Sequence, residues 1–349
     1  MVKPKNFNRT VLFGLAMLAT TLLLEVAYPQ ETKGVELRLI SKQPIEKEQW
    51  SDVQEIKSKN GKFKGIVVYG EYTEFGPEVK KFALMDSKGN ILWEKTHPIE
   101  CGFQITNDGY VIAEKISPSS EYSFGLTSFS FYDQKGNLIR HTEKLRYSGK
   151  GDFLADVGYL LVRTEENDLL LFDTKGNLIQ NYGPCKDFVA SPDFKSLVVF
   201  YQKELRFYRN GEFIGKETIE SHPLLGGMRI SPDGEYLAYL TRNNISLFEI
   251  EKTKKLWQFD KVESLSFASL DLSFYGEIVA VGLDYNVKND PKTHSYGYVY
   301  LFNREGNKLA EQKIGYTEWN IWTPNVDITE DGKFLYIKTL NEIYKFEVK

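Results

Sequence analysis

The sequence predicts an all-β chain built from repeated four-stranded antiparallel sheets, and three observations predict it. First, residues 227–260 contain two turn clusters separating four short apolar or alternating runs. Ser231-Pro232-Asp233-Gly234 is turn chemistry: Pro fixes φ, Asp hydrogen-bonds the backbone ahead, and Gly takes φ > 0 at little steric cost. Met228-Arg229-Ile230 and residues 236–240, 245–248 and 256–259 are the strands between such turns. Second, the same order of signals recurs loosely from Trp50 to the last residue. Third, the two middle runs carry bulky residues at both parities, Tyr236 beside Leu237 and Leu247 beside Phe248. A sheet with one wet face would alternate, so these sheets are covered on both faces. The blades of a β-propeller, each sandwiched between its neighbours, meet that condition.

Residues 1–30 have the form of a targeting segment, with Lys3, Lys5 and Arg9 preceding an apolar run over residues 11–24. That length suits a secretory signal and is short for a spanning helix. The small-residue frame around Ala27 is poor for cleavage, so a signal peptide and an uncleaved signal anchor both stay open. With no twin-arginine pair, the general secretory route is expected, and with it a periplasmic or extracellular location. Residues 35–39 alternate strictly, the pattern of a half-exposed strand, and have no hairpin partner nearby. Residues 41–47 read as a polar connection containing Pro44, so residues 31–49 form a closing strand and linker ahead of a propeller over residues 50–349.

The repeats then follow as residues 50–96, 103–145, 152–182, 188–219, 227–260, 270–314 and 326–348. The last unit holds three strands where the others hold four, and the strand at 35–39 is the natural fourth. Pairing the two chain ends inside one sheet closes a ring and leaves no exposed edge. Units of this length are near the ~40–45-residue period of propeller blades. The expectation is a seven-bladed propeller whose last blade takes the N-terminal strand. Six blades is the alternative, because the third and fourth units are the faintest.

Two recurring strings resemble known families. Ser231-Pro232-Asp233-Gly234-Glu235-Tyr236-Leu237, with weaker copies at Ser191 and Thr329, resembles the turn of bacterial WD40-like and TolB-like propellers. Leu84-Met85-Asp86-Ser87-Lys88-Gly89-Asn90-Ile91-Leu92-Trp93 resembles the PQQ-type propeller repeat, with looser copies at Phe131, Phe172 and Phe302. The resemblance runs from Trp50 onward and implies a fold; propellers host many unrelated activities, so it implies no single function. The tryptophan of the third-to-fourth-strand segment is kept only at Trp93 and Trp257, so the docking ring of quinoprotein dehydrogenases is not reproduced.

Composition excludes several classes of function. The chain is 42% hydrophobic and 14% aromatic, enough for a large core, and its net charge of −4 comes with no basic stripe for nucleic acid. Two cysteines, Cys101 and Cys185, are too few for a disulfide framework and are expected as buried thiols. The four histidines, His97, His141, His222 and His294, lie at no metal-ligand spacing, and there is no nucleophile elbow or phosphate loop. Asp284-Tyr285-Asn286 with Asn289-Asp290 is loosely calcium-like but lacks the Gly and Glu of a calcium loop; a solvated polar loop is the plainer reading. No cofactor is expected.

The informative signal is where long connections fall. Those between second and third strands are extended at residues 70–80, 116–127 and 283–297, and the linker at 315–325 is long as well. In a closed ring these connections share one end of the fold and gather Tyr72, Phe75, Tyr122, Phe124, Tyr285, His294, Tyr296, Trp319 and Trp322. Clustered exposed aromatics on loops mean recognition, unless they fold together as a plug. The expected function is therefore a monomeric, non-catalytic binding or scaffolding propeller outside the cytoplasm, gripping a protein, peptide or glycan. The alternative is a metal-assisted lyase, lactonase or hydrolase at the channel mouth, using Asp284, Asp290, His294 and His97.

Overall fold

The computed structural model describes residues 37–44, 53–73, 76–96, 98, 100, 102–117, 126–142, 145–146, 152–154, 158–164, 166–260, 268–285, 296–315, 325–339 and 342–349. These residues contain strands and turns and no helix. After β1 (Leu37–Pro44), the first sheet is β2 (Val53–Lys57), β3 (Phe63–Thr73), β4 (Gly76–Asp86) and β5 (Ile91–Thr96). The second is β6 (Gly102–Ile105), β7 (Val111–Ser117), β8 (Leu126–Tyr132) and β9 (Leu138–His141), with β10 (Leu145–Arg146) added along the end of β8. A third holds β11 (Asp152–Leu154), β12 (Tyr159–Arg163), β13 (Asp168–Phe172) and β14 (Leu178–Pro184). The fourth holds β15 (Asp187–Ala190), β16 (Ser196–Tyr201), β17 (Glu204–Arg209) and β18 (Glu212–Thr218). The fifth is β19 (Pro223–Ile230), β20 (Tyr236–Thr241), β21 (Ile245–Glu249) and β22 (Lys254–Phe259). The sixth is β23 (Ala268–Leu272), β24 (Ile278–Tyr285), β25 (Tyr296–Asn303) and β26 (Lys308–Gly315). Last come β27 (Asn325–Ile328), β28 (Phe334–Lys338) and β29 (Glu342–Val348), whose sheet is completed by β1 in the order β1-β29-β28-β27.

The sheets stack face to face in chain order, the arrangement of a β-propeller. β20 and β21 show why: Ala238, Leu240, Ile245 and Leu247 pack against the sixth sheet, while Leu237, Tyr239 and Phe248 pack against the fourth. Six hydrophobic clusters bridge successive sheets in this way, from the first-to-second contact around Phe82 and Phe103 to the sixth-to-last contact around Leu301 and Phe346. Each fully buried Phe or Leu contributes about 1.5–3 kcal/mol by leaving water. The third and fourth repeats, faint as sequence, are complete four-stranded sheets.

Several boundaries differ from the sequence reading. β1 runs to Pro44, through residues expected as a connection, because β29 offers backbone partners down to the Pro44–Glu342 pair. A register shift between Leu39 and Ser41 breaks the alternation there, which hid the second half of the strand. Residues 35 and 36 lie outside the described residues. Parts of the long connections at 70–80, 116–127 and 283–297 are strand. β3 and β4 pair up to Thr73 and Gly76, β7 and β8 up to Ser117 and Leu126, and β24 and β25 up to Tyr285 and Tyr296. Continued ladder pairing satisfies backbone groups that a loop would leave to water.

Candidate functional site

The two ends of the stack differ chemically. One end carries the turns between first and second strands and between third and fourth. At the former, a Ser or Thr hydroxyl accepts the backbone N–H that restarts the next strand: Ser58 from Phe63, Thr106 from Tyr110, Ser191 from Ser196, Ser231 from Tyr236, Ser273 from Ile278 and Thr329 from Phe334. At the latter, Asp86, Asp133 and Asp173 each accept from two backbone N–H groups through Oδ1 and from an Asn side chain through Oδ2. Those bonds hold the Asp86 and Asp133 carboxyls below their usual range, through the Asn90 and Asn137 side-chain amides above all and against some desolvation in each. Turns on neighbouring sheets are tied together, Asn60 to Asn107 and Phe274 to Glu330. This end is closed.

The opposite end carries the second-to-third connections. There β3 and β4 extend to 11 residues each and β24 and β25 to 8 each, whereas β12, β13, β16, β17, β20 and β21 have 5 or 6. A cavity of about 260 Å³ lies across β2, β3, β6, β7, β8 and β12 of the first three sheets. Its floor is apolar and buried: Phe103, Ile112, Phe129 and Leu160. Its polar groups are Gln54 on β2, Tyr69 on β3, Gln104 on β6 and Glu114 on β7. The Tyr69 hydroxyl donates to Gln54 Oε1, which fixes both side chains at the rim.

The strands themselves set this geometry. β7 reads Val111-Ile112-Ala113-Glu114, so Ile112 and Glu114 share a face, toward the third sheet, while Val111 and Ala113 pack toward the first. Gly102 pairs with Glu114 across β6 and β7. A Cβ at Gly102 would stand 3.1 Å from Glu114 Oε2, so a glycine there leaves the carboxyl room beside the cavity. Burial pushes the Glu114 carboxyl above its ordinary pKa. The arrangement is that of a small binding pocket: an apolar base with a few convergent polar groups.

The sequence-predicted aromatics stand differently. Tyr72 is placed by its backbone opposite Pro77, and Tyr285 and Tyr296 are cross-strand partners at the tip of the sixth sheet, but their side chains are outside the described residues. Phe75, Tyr122, Phe124, His294, Trp319 and Trp322 lie outside the described residues altogether, as do His97 and Asp290. Asp284 is a strand residue opposite Gly297, so the connection starts later than the sequence reading placed it; its side chain is not described. Among the described residues no three His, Cys, Asp or Glu side chains are grouped to hold a metal. His141 lies on β9 with Nδ1 3.1 Å from Ser130 Oγ, and His222 meets the Phe200 ring edge-on. Cys185 is buried with its thiol directed at the Asp187 carbonyl, and Cys101 is outside the described residues. No described helix is long and apolar enough to cross a membrane.

Residues 111–114 fall inside the repeat read over residues 103–145, with no role marked for Glu114. The signal was present: a carboxylate closing an otherwise apolar run on a strand expected to be covered on both faces. Gln54 and Gln104 gave none, since their meeting depends on how two sheets dock.

No protein-family model matches the chain, and no curated protein matches it. Among solved structures it is similar to Raptor of Chaetomium thermophilum, with a TM-score of 0.50 and 12% identity, over 100% of this chain and 33% of that one. It is equally similar to a eukaryotic initiation factor, with a TM-score of 0.50 and 11% identity over 76% of this chain and 80% of that one. The chain thus spans a third of the length of Raptor. At such identities the likeness is one of fold alone.

Proposed function

We propose that this protein is an exported, non-catalytic binding propeller of seven blades, closed by β1, that holds a protein, peptide or glycan at the end bearing the drawn-out hairpins. The observation that carries this reading is the contrast between the two ends. One carries repeated tight turns, some hydrogen-bonded across neighbouring sheets, and the other extends three hairpins, while a pocket lies across the first three sheets. A scaffold that is rigid at one end and elaborated at the other is how recognition loops are commonly held. In the closed ring the last sheet neighbours the first. The hairpins of the sixth, first and second sheets then fall on one arc, together with Tyr72, Phe75, Tyr122, Phe124, Tyr285, His294, Tyr296, Trp319 and Trp322. Residues 1–30 direct export, as a cleaved signal or as an anchor through residues 11–24.

The test is selection from phage-displayed peptide libraries and a glycan array with protein lacking residues 1–30. Wild type enriches a defined set of ligands, and the triple substitution Tyr296→Ala, Trp319→Ala, Trp322→Ala loses them while keeping its unfolding midpoint. Equal enrichment by both proteins removes the rim from the reading.

A further inference from the structure

We propose that the closed end of the stack lies against a lipid bilayer, into which aliphatic pairs at the start of the fourth strands insert. The inference goes beyond the binding reading, which concerns the opposite end.

The pairs come from a backbone feature that recurs from sheet to sheet. Where the fourth strand begins, the register slips by one residue: Met85 pairs with Ile91 but Leu84 with Trp93, which leaves Leu92 extra. The same slip leaves Ile139, Ile179 and Ile214 extra on β9, β14 and β18. On β1, the fourth strand of the last sheet, it leaves Ile40 after Leu39. A bulge of this kind sets two residues against one on the partner strand. The residues ahead of the extra ones, Ile91, Leu138, Leu178 and Phe213, are 52–56% exposed, and Leu39 and Ile40 are about as open. A lone exposed Leu needs no explanation, but a pair at one place on five sheets does. The fold does not require it. Lys255 on β22 and Lys308 on β26 hold the position that Ile91 holds on β5.

Three observations say what covers these pairs. The first is depth. On the first four sheets each pair stands two and three residues past the glycine of a closed-end turn, so within about 10 Å of the turn tip. Interfacial apolar side chains sink about 5–10 Å into a bilayer. The second is charge. The turns ahead of the first three pairs carry the exposed Lys88, Lys135 and Lys175, while Asp86, Asp133 and Asp173 accept from N–H groups of their own turns. A cation three residues ahead of an aliphatic pair suits an interface, with the ammonium among the phosphates and the apolar groups below. The third is where the chain enters the fold. Leu37 pairs with Val348 at the end of β29, the third strand of its sheet, so the chain ahead of β1 leaves at the closed end. Residues 25–36 separate Leu37 from the apolar run at 11–24 and span roughly 40 Å at most. An anchor formed by that run would hold this end, not the other, toward the membrane. A protein partner or a second copy would engage one patch; a motif repeated on five sheets suits a continuous surface.

The experiment is flotation with large unilamellar vesicles of phosphatidylethanolamine and phosphatidylglycerol. It uses protein lacking residues 1–30, a cut that removes no described strand and leaves any binding to the folded part. The expected result is that the protein floats with the vesicles. Ile91→Thr, Leu138→Thr, Leu178→Thr and Phe213→Thr together lower its partition coefficient at least about tenfold. Thr keeps the strand preference, so the unfolding midpoint holds. Leu92→Thr, Ile139→Thr, Ile179→Thr and Ile214→Thr make a second variant with the same expected loss, should the first fail to fold. No flotation by the unsubstituted protein overturns the proposal, as does flotation unchanged in a folded variant. A dimer seen by light scattering that the same substitutions dissolve, in protein that does not float, assigns the pairs to a second copy and overturns it too. Peptide or glycan enrichment by protein that does not float keeps the binding reading and removes this inference alone. Flotation that survives substitution of the rim aromatics, with no ligand enriched, does the reverse.

Discussion

Glu100 is a buried carboxylate outside the pocket. It is 3% exposed, wedged where the first sheet meets the second. Tyr132 donates to its Oε1 at 2.7 Å, and Lys95 Nζ lies 3.1 Å from Oε2 and 2.7 Å from the Tyr132 hydroxyl. Burial pushes this carboxyl up, but the bonds from Tyr132 and Lys95 outweigh it and hold the pKa below the ordinary value. The folded pKa therefore lies below the unfolded one. The contribution is present above about pH 4.5, where an unfolded Glu is ionised, and is lost as pH falls through the depressed folded value. Lys95→Met should cost about 1–3 kcal/mol at pH 7, the range for removing a charged hydrogen-bond partner. It should also flatten the loss of stability on acidification; urea unfolding at pH 7 and at pH 4 measures both. A destabilisation equal at the two pH values would show that Lys95 acts through packing, with the Glu100 charge uninvolved.

At the scale of elements, neighbouring sheets are locked by turn glycines set against aromatic rings. Gly306 takes φ 85° in the turn between β25 and β26, and a Cβ there would come within 2.6 Å of the Trp257 ring on β22 of the preceding sheet. The Trp257 indole N–H donates to the Arg304 carbonyl in the same turn at 2.8 Å. Gly136 sits on Trp93 in the same manner. These contacts give the surviving tryptophans of the repeat a structural reason: they are the surface onto which the next sheet's turn docks. Gly306→Ala meets both a backbone conformation that L side chains resist and a collision with the ring. A cost of about 1–3 kcal/mol is expected from the conformation alone. Thermal melting checks it. Gly89→Ala, in the same turn conformation but with nothing within 4 Å, should lose less. An equal loss would assign the whole effect to φ.

Across the whole molecule, the chain ends meet in one sheet. β1 pairs with β29 from the Leu37–Val348 pair to the Pro44–Glu342 pair, and Leu37 packs against the cluster joining the sixth and last sheets. The ion pairs along this ladder, Lys42 to Glu342 and Arg38 to Glu347, are exposed and contribute little; the backbone ladder and the covered edge are what matter. Deleting residues 1–44 leaves β29 as an open edge. The expected outcome is a lower melting temperature together with concentration-dependent association through that edge, seen by light scattering. A truncated protein that stays monomeric with an unchanged melting temperature would mean that β1 is an ornament on the ring.

The amino-acid order by itself determined the strand-and-turn grammar: the hydroxyl-Pro-Asp-Gly turn at Ser231, the Asp-x-Lys-Gly-Asn turns, the two-sided apolar strands, and the need of the last unit for a strand from elsewhere. Each of these is settled within a few residues by φ preferences, local hydrogen bonds and side-chain parity, so each is written where it acts. The hydroxyl turns at Ser58, Thr106 and Ser273 use the same bond without the full Ser-Pro-Asp-Gly string, so that string alone does not mark them. Only the tertiary structure decided that Gln54, Tyr69, Gln104, Glu114 and Leu160 line one cavity, because three docked sheets bring together residues more than a hundred positions apart. It likewise decided that strand pairing extends into the long connections, to Thr73–Gly76, Ser117–Leu126 and Tyr285–Tyr296. Docking and ladder length depend on shape complementarity between distant surfaces, which no short stretch of sequence encodes.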